Sequence, residues 1–460
     1  MLWTDLLNST RLVPEDVGAH TSAGRSPFDA DVDRVSFSGS FRRLSRKTQV
    51  HPLAANDHVH TRLTHSIEVA RVGRTLAKRI GALVEARGEM PPERTPHDFG
   101  SIVEAACLAH DLGNPAFGHA GEEAMKHWFE NCPSKLLKDW TPAFKHDIAT
   151  VEGNAQGFRI ITQTENHLFK GGLKLTAATL GAFLKYPWTT RRPEKKVSAY
   201  LTEEVILASV AEKLKLLPDA KGGWKRHPLA FIVEAADDIC YAILDLEDAV
   251  ELRILSFANV SGPLLEALEP DIRSAVERSF EPSDQSFRVN LSRLRGAVFD
   301  RAMSGAVESF GKNYELIMTG GMNGSLLDAL GADDPRGKMV SDAKDKSTNH
   351  VFTDARKVEL EIGAYATFDT ILSAFCNAAV ALSDHLRDPI ENNLSWKDRS
   401  VLRLLGDHTP SKENEASVNG WTKYQCLRRA LDFVSGMTDN YATYIARQFQ
   451  GSGFSGGQRP

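Results

Sequence analysis

Apolar residues recur at helical spacing along most of the chain. Residues 61–85 form a long amphipathic pattern, and residues 101–109 are apolar at nearly every position before a turn rich in glycine and proline. The same period returns over residues 228–253, 354–386, 396–405 and 422–449. Because no segment of comparable length alternates with a strand period and no internal repeat occurs, the pattern predicts an all-α fold.

Polar and turn-rich stretches separate these helical patterns. Residues 1–36 are polar and irregular, and residues 131–150 contain two prolines and are predicted to form a loop. A glycine-rich, charged stretch over residues 319–349 is predicted to be a variable loop. Residues 451–460 have the composition of a flexible tail.

Composition adds limits to this picture. The 460 residues carry a net charge of −5, with 42% hydrophobic and 25% charged residues, as in ordinary soluble proteins. This balance gives no general attraction to nucleic acids or anionic membranes. With no leader pattern and no apolar window near membrane-spanning length, we expect a cytoplasmic protein without membrane contact. The five cysteines are scattered and form no CxxC, so reduced thiols are expected.

The densest polar chemistry lies in residues 110–122, between two helical patterns. His110 and Asp111 are adjacent at the end of the first helix, where both side chains can face one cation. His119 and Glu122 are three positions apart, so they share a face of the next helix. The first pair is typical of metal ligands and the second of an acid/base dyad.

A hydrolytic metal site needs further ligands from elsewhere in the chain. His65 lies near the start of the 61–85 helix, and Asp237 lies in the apolar 228–253 helix, one and two turns before Tyr241 and Asp245. A lone histidine is more often structural, and the acids of the second helix would also suit an outer polar stripe. The predicted set is His65, His110, Asp111 and Asp237. Nitrogen and oxygen ligands without thiolate suit Mn²⁺, Mg²⁺ and several other first-row ions about equally, so the metal's identity stays open.

An early basic cluster allows two interpretations. It consists of Arg34, Arg42, Arg43, Arg46 and Lys47. Such a run is usually a solvated helix face, and the alternative is a phosphate site or an oligomer contact. The sequence does not decide between them.

The order H…HD…D resembles the HD phosphohydrolase superfamily. The surrounding motifs are similar to those of the bacterial dGTPase, or deoxynucleoside triphosphate triphosphohydrolase, family over roughly residues 1–450. They occupy residues 41–50, 62–69, 110–122, 154–156, 234–241 and 435–442. The resemblance implies an HD-domain helical fold with additional helices on both sides of the core. The implied division is an N-terminal segment 1–36, a catalytic core 37–250, a C-terminal helical region 251–450 that completes the substrate pocket and oligomer contacts, and a flexible tail 451–460.

The resemblance also implies roles for individual residues. His65, His110, Asp111 and Asp237 match metal ligands, His119 the catalytic histidine and Glu122 the acid that orients it. Gln49 and Asp245 match residues that read the deoxyribose 3′-hydroxyl, with Tyr241 packed under the sugar and Val50 near the base. Arg62, Lys185, Tyr186 and one of Lys195 or Lys196, with Lys196 preferred, match triphosphate contacts. Arg428 or Arg429 is a candidate for base selectivity.

Two positions depart from the family pattern. Asn114 stands where the family usually has a histidine near the phosphates, and Ala116 replaces a proline. Asn114 keeps hydrogen-bonding capacity but has no titratable charge. We therefore expect differences in rate, nucleotide preference or metal preference, with the same reaction class.

The implied reaction is metal-dependent hydrolysis of dNTPs, dGTP among them, to a 2′-deoxynucleoside and inorganic triphosphate. The 5′-alkoxide is a poor leaving group, so the reaction needs a general acid such as His119. The alternatives are an HD phosphatase or phosphodiesterase acting on another nucleotide, and a weakly catalytic regulator that responds to nucleotides or single-stranded DNA. The resemblance further implies a homo-oligomer, often a hexamer, with a dNTP or single-stranded DNA as effector.

Overall fold

The computed structural model describes residues 1–12, 24–51, 56–133, 136–137, 140–165, 171–282, 287–385, 394–406 and 422–453. These residues form helices and turns with no strand, and pair across the chain only in isolated bridges such as that between Thr48 and Thr61. The predicted all-α fold is confirmed.

Twenty α-helices occur in the described residues. They are α1 Trp3–Leu6, α2 Pro27–Ser36, α3 Gly39–Arg43, α4 Arg62–Ala86, α5 Pro96–Ala109, α6 Gly118–Asn131, α7 Pro142–Ala149, α8 Gly153–Arg159, α9 Ala177–Phe183, α10 Glu204–Lys213, α11 Ala230–Glu251, α12 Phe257–Glu266, α13 Pro270–Ser279, α14 Phe287–Lys312, α15 Tyr314–Met318, α16 Pro335–Lys346, α17 Ala355–His385, α18 Trp396–Leu405, α19 Lys423–Ser435 and α20 Asp439–Phe449. A π-helical turn, Ser347–Val351, follows α16.

Helices α4, α5 and α11 form the centre of the molecule. Thr61 caps α4, where its side chain accepts from the backbone N–H of Thr64 in a capping box. Thr95 and Asp98 form the equivalent box at the start of α5. Helix α4 packs along α5 on one side and against α11 on another. The predicted helices over residues 61–85 and 228–253 therefore correspond to α4 and α11.

The buried hydrophobic side chains form two large clusters. The first lies mainly among α2, α4, α5, α9, α11 and α14. The second joins α6 to the C-terminal helices α17, α18, α19 and α20. Helix α6 belongs to the predicted core 37–250, yet its apolar face packs against the C-terminal region. The predicted domain boundaries stay predictions.

Three sequence predictions about irregular segments are wrong. Residues 1–36 contain α1 and α2, the predicted loop 131–150 contains α7, and the predicted loop 319–349 contains α16. Both α7 and α16 begin with a proline in the first helical turn. Proline is favourable there because the first N–H groups of a helix have no intrahelical partner. Both prolines start helices, and Pro142 is one of the two prolines on which the predicted loop 131–150 was based.

Helix α17 corrects the expectation about apolar windows. Residues Ala355–Ser383 are long and apolar enough to cross a membrane by length and composition. Phe368, Ile371, Leu372 and Phe375 on this helix are fully buried in the second cluster. Their contacts within the protein account for the apolar composition, and cytoplasmic location stays a prediction.

The early basic cluster divides between surface and interior. Arg42, Arg43 and Arg46 are exposed, whereas Lys47 is buried. Arg34 donates to the backbone oxygen of Leu173 at 3.1 Å. The five cysteines are free, as expected.

Candidate active site

A cavity of about 440 Å³ lies between the two hydrophobic clusters. The predicted site residues that line it are Gln49, Val50, Arg62, His110, Asp111, Asn114, His119, Glu122, Lys185, Tyr186, Lys196, Asp237 and Tyr241. His65 and Asp245 lie outside this lining. The tertiary structure therefore brings most of the predicted residues to one place, although they are spread over almost two hundred positions of sequence.

Two imidazoles and two carboxylates converge on one side of the cavity. His65 is only 1% exposed, and its Nε2 lies 3.1 Å from Oδ1 of Asp237. Nε2 of His110 lies 3.5 Å from the same oxygen and 3.5 Å from Oδ1 of Asp111. The ligand atoms of His65, His110 and Asp111 all lie within 4.8 Å of one another. These nitrogen and oxygen atoms form a compact donor set contributed by α4, α11 and the end of α5.

Neighbouring groups fix the orientation of this donor set. Nδ1 of His110 donates to the backbone oxygen of Cys107 at 2.6 Å, which leaves Nε2 to face the carboxylates. Arg62 donates to Oδ2 of Asp111 at 2.7 Å, and the Asn114 amide donates to Oδ1 of Asp111. Asp111 is therefore held from both sides by residues that also line the cavity.

The donor set favours a positive charge between its carboxylates. Burial alone would lower the pKa of His110, but the charges of Asp111 and Asp237 outweigh burial and raise it to about 9. Burial opposes ionisation of Asp237, yet His110 and His65 hold its pKa well below the usual range. Either a proton or a cation meets this preference. His65, His110, Asp111 and Asp237 thus fit a divalent metal ion.

Glycines allow the turn after α5 to pack closely. A Cβ on Gly113 would lie 2.0 Å from the backbone oxygen of Gly153, and a Cβ on Gly118 would lie 2.6 Å from a guanidinium nitrogen of Arg62. Phe117, before α6, has a left-handed φ of 60°. The turn consequently brings the start of α6 directly beside the donor set.

His119 and Glu122 face each other on the first turn of α6. Nδ1 of His119 lies 3.1 Å from Oε2 of Glu122, and the histidine side chain is 77% exposed whereas the glutamate side chain is 3% exposed. Burial opposes ionisation of Glu122, but the hydrogen bond and charge of His119 lower its pKa. The other carboxylate oxygen accepts from the Gly153 backbone N–H at 2.8 Å. An ionised, fixed Glu122 thus orients an exposed imidazole at the cavity rim.

Each cationic side chain of the cavity has a carboxylate partner. Besides Arg62 with Asp111, the Nζ of Lys185 lies 3.3 Å from Glu234 and the Nζ of Lys196 lies 2.9 Å from Glu152. Lys357 pairs with Glu361. Burial alone would lower the pKa of Lys196, but Glu152 and Glu122 outweigh burial and raise it. Lys195, the alternative to Lys196, lies outside the lining.

Tyr241 and Gln49 also line the cavity. The Tyr241 ring lies 6.1 Å from the Phe352 ring. Oε1 of Gln49 is buried with no hydrogen-bond partner among the described residues. Asp245 lies one turn after Tyr241 and is 2% exposed, with a pKa raised well above its usual range by burial and by Asp248.

Several lining residues were not predicted. They are Thr48, Phe117, Gly118, Glu152, Asn154, Ala182, Phe183, Ala230, Val233, Glu234, Phe352, Lys357 and Glu361. Phe352, Lys357 and Glu361 follow the stretch that was predicted to be a variable loop. The helical spacing of Lys357 and Glu361 was visible in the sequence, but nothing there linked them to the cavity.

The two candidates for base selectivity near the C-terminus do not reach the cavity. Arg428 and Arg429 are buried and lie outside the lining. Arg428 instead donates to Oδ2 of Asp147 at 2.7 Å and stacks over the ring of Tyr200. Its role is to join α19 to α7.

Comparison with known proteins identifies the chain's relatives. Residues 62–241 match the HD domain family. A "deoxyguanosinetriphosphate triphosphohydrolase-like protein" of Pseudomonas aeruginosa is 42% identical over 458 residues, which cover 98% of this chain and 99% of the relative. Proteins with the same name from Synechocystis sp. and Listeria innocua are 34% and 32% identical, over 98% of this chain and 99% and 100% of their own lengths. The chain therefore belongs to the HD-domain family of deoxyguanosinetriphosphate triphosphohydrolase-like proteins, a nucleotide triphosphohydrolase family.

Proposed function

We propose that this protein hydrolyses dNTPs to a 2′-deoxynucleoside and inorganic triphosphate in a metal-dependent reaction. The observation that carries the proposal is the His119–Glu122 pair at the rim of a cavity that is also lined by His110, Asp111 and Asp237, with His65 directly behind them. When bound, a divalent ion would offset charge on a phosphate oxygen and make a water molecule more acidic. The remaining requirement is a proton for the leaving alkoxide.

His119 is the general acid in this proposal. Its Nδ1 faces the ionised Glu122, so Nε2 is left to point at a substrate. Cleavage between the α-phosphorus and the 5′-oxygen leaves an alkoxide, and a proton from Nε2 would make it a hydroxyl. Glu122 orients the imidazole ring, and Glu122 is itself held in place by the hydrogen bond that the Gly153 backbone N–H donates to it.

The charge of the cavity favours a nucleotide that arrives with metal ions. Among the described residues, six carboxylates and four Lys or Arg side chains line the cavity. A bare triphosphate would add negative charge to an already negative lining. Arg62, Lys185 and Lys196 contact the triphosphate in our proposal, with Tyr186 beside Lys185, and cations carried by the substrate offset the remainder.

Tyr241 and Gln49 select deoxyribose in this proposal. The tyrosine ring would pack under the sugar and clash with a 2′-hydroxyl, and the unsatisfied Gln49 Oε1 would accept from the 3′-hydroxyl. Asp245 lies outside the cavity lining, one turn after Tyr241, and would help to read the 3′-hydroxyl in this proposal. Val50, Phe352 and the Lys357–Glu361 pair contact the base in our proposal, because they line the same cavity.

Asn114 supports the metal ligand Asp111 by its amide hydrogen bond. An amide supplies that bond without a charge, so the proposal predicts an altered metal preference and an unchanged reaction class. A homo-oligomer, a hexamer among the forms expected, remains part of the proposal, as does a dNTP or single-stranded DNA effector.

Product analysis tests the proposed function. Purified protein is incubated with Mn²⁺ or Mg²⁺ and each dNTP in turn, and the products are separated by ion-exchange chromatography. We expect free triphosphate and deoxynucleoside in equal amounts, and no turnover after chelation of the metal. Orthophosphate or diphosphate as the first product would contradict the proposal and favour an HD phosphatase or phosphodiesterase.

A matched pair of variants on α6 tests the general acid. His119→Gln should lower kcat on the order of 100-fold or more, because the leaving alkoxide loses its proton donor. His127 is exposed on the same helix and lies outside the cavity lining, so His127→Gln should keep wild-type kcat. Full activity of His119→Gln would exclude this histidine as the acid.

A further inference from the structure

Asp439, at the start of α20, is bonded to two segments that form the cavity. Its side chain is 1% exposed. Oδ2 accepts from the backbone N–H of Thr48 at 3.0 Å and from the Thr48 hydroxyl at 2.8 Å. Oδ1 accepts from the backbone N–H of Phe117 at 3.0 Å. One buried carboxylate therefore joins the segment before α4 to the turn before α6.

Lys47 provides a second connection between the same parts. It is 2% exposed, and its Nζ donates to the backbone oxygens of Asn114 at 2.5 Å and Ser435 at 3.0 Å. Ser435 ends α19. The junction between α19 and α20 is therefore hydrogen-bonded to the segment before α4, and through Lys47 and Asp439 it is connected to the turn before α6. Lys47 and Asp439 themselves lie outside the cavity lining.

The bonded positions are close in sequence to residues of the proposed mechanism. Thr48 precedes Gln49, and Phe117 lies two residues before His119. The left-handed φ of Phe117 is unfavourable for a residue with a side chain, so this conformation depends on its surroundings. The backbone N–H of this same residue donates the hydrogen bond to Asp439. Movement of Asp439 would consequently shift the proposed general acid and the proposed sugar contact relative to each other.

We propose that Asp439 is a positioning residue that sets the separation between Gln49 and His119. This inference rests on the proposed function, because it assigns both residues to one substrate. A purely structural role is the simpler explanation, since an acid in the first turn of a helix stabilises that helix. The two roles differ in what a substitution changes.

Asp439→Asn tests the positioning role. The amide keeps the size of the carboxylate but presents N–H where Thr48 also presents N–H, so one hydrogen bond is lost. We expect kcat to fall about 10- to 100-fold, because small displacements of reacting groups have effects of this size. We also expect faster amide hydrogen exchange in residues 44–50 and 114–119, measured by mass spectrometry.

Thr438→Ala is the matched control on the same helix. The Thr438 hydroxyl caps α20 by accepting from the Tyr441 N–H, and the contacts of Asp439 do not involve it. Both Thr438→Ala and Asp439→Asn should lower the melting temperature. Thr438→Ala, however, should keep wild-type kcat and wild-type exchange in residues 44–50 and 114–119. Loss of kcat in proportion to melting temperature in both variants would overturn the positioning role.

The exchange measurement separates this inference from the proposed function. If the wild-type protein released no triphosphate from any dNTP, the proposed function would fail. The exchange rates of Asp439→Asn and wild type could still be compared. Equal rates in residues 44–50 and 114–119 would overturn the positioning role by themselves.

Discussion

Asp237 and Asp238 are sequence neighbours on α11 with different electrostatic surroundings. Asp237 faces His65 and His110, which hold its pKa well below the usual range against the effect of burial. Asp238 points to α16, where Oδ1 lies 2.7 Å from Nζ of Lys344. Burial raises the pKa of Asp238, and Lys344 offsets only part of this effect. A helix places neighbouring residues about 100° apart, so only one of the two acids can face the imidazoles.

This difference predicts that two equivalent substitutions have different effects on metal binding. Asp237→Asn should weaken Mn²⁺ binding on the order of 100-fold or more, because it removes a charged ligand. Asp238→Asn should leave Mn²⁺ affinity close to that of the wild-type protein. Isothermal titration of the metal-stripped proteins measures both. A larger loss from Asp238→Asn than from Asp237→Asn would reverse the assignment.

At the scale of single elements, the ends of helices decide how they pack. His227 lies just before α11 and is fully buried. Its Nε2 donates to the backbone oxygen of Leu6 at 3.1 Å, and its Nδ1 accepts from the Leu229 N–H at 3.1 Å. One neutral imidazole thus joins α1 to the start of α11. Desolvation by burial lowers its pKa to about 4.

The lowered pKa of His227 predicts a loss of stability in acid. The folded state disfavours the protonated form, so the contribution is complete above the ordinary pKa of 6.5 and is lost as the pH falls through about 4. Up to about 3 kcal/mol of unfolding free energy depends on pH in this window. His227→Gln should therefore show a smaller change in urea midpoint between pH 6.5 and 4 than wild type.

The exposed His146 supplies the control for this measurement. His146→Gln should keep the wild-type dependence of the urea midpoint on pH. An identical pH dependence in wild type and His227→Gln would show that other groups govern acid unfolding.

At the scale of the whole molecule, the cavity depends on both hydrophobic clusters. The donor set belongs to helices of the first cluster, whereas His119 and Glu122 lie on α6, whose apolar face packs in the second. Met125, Trp128 and Phe129 of α6 are buried there among residues of the C-terminal helices. The C-terminal region is therefore needed to hold α6, the helix that carries both residues of the proposed dyad.

This arrangement predicts the behaviour of a fragment limited to the predicted core 37–250. Without the C-terminal helices, the apolar face of α6 would be exposed, and such surfaces promote association. We expect the fragment to aggregate or to lose cooperative melting, as measured by size-exclusion chromatography and circular dichroism. A chain ending at residue 453 keeps both clusters and should behave like the full chain. A monomeric, active fragment 37–250 would mean that α6 is stable without them.

The sequence alone was sufficient for the helical class, the long central helices and half of the residues that line the cavity. Helical period, capping residues and the HD motif are local signals, since they depend on neighbours a few positions apart. The same local reasoning failed at Pro142, which starts α7 inside the predicted loop 131–150. Proline favours both a helix start and a break, and contacts elsewhere decide between them.

Only the tertiary structure decided which distant residues meet. It brought Lys357 and Glu361 to the cavity and placed Arg428 in a buried ion pair with Asp147. It also paired each Lys or Arg side chain among the described lining residues with a carboxylate. These outcomes depend on how helices pack, and packing follows from the shapes of whole faces, which no single stretch of sequence encodes. The sequence determined the chemical groups available to this protein, and the packing of α4, α5, α6 and α11 determined their arrangement around one cavity.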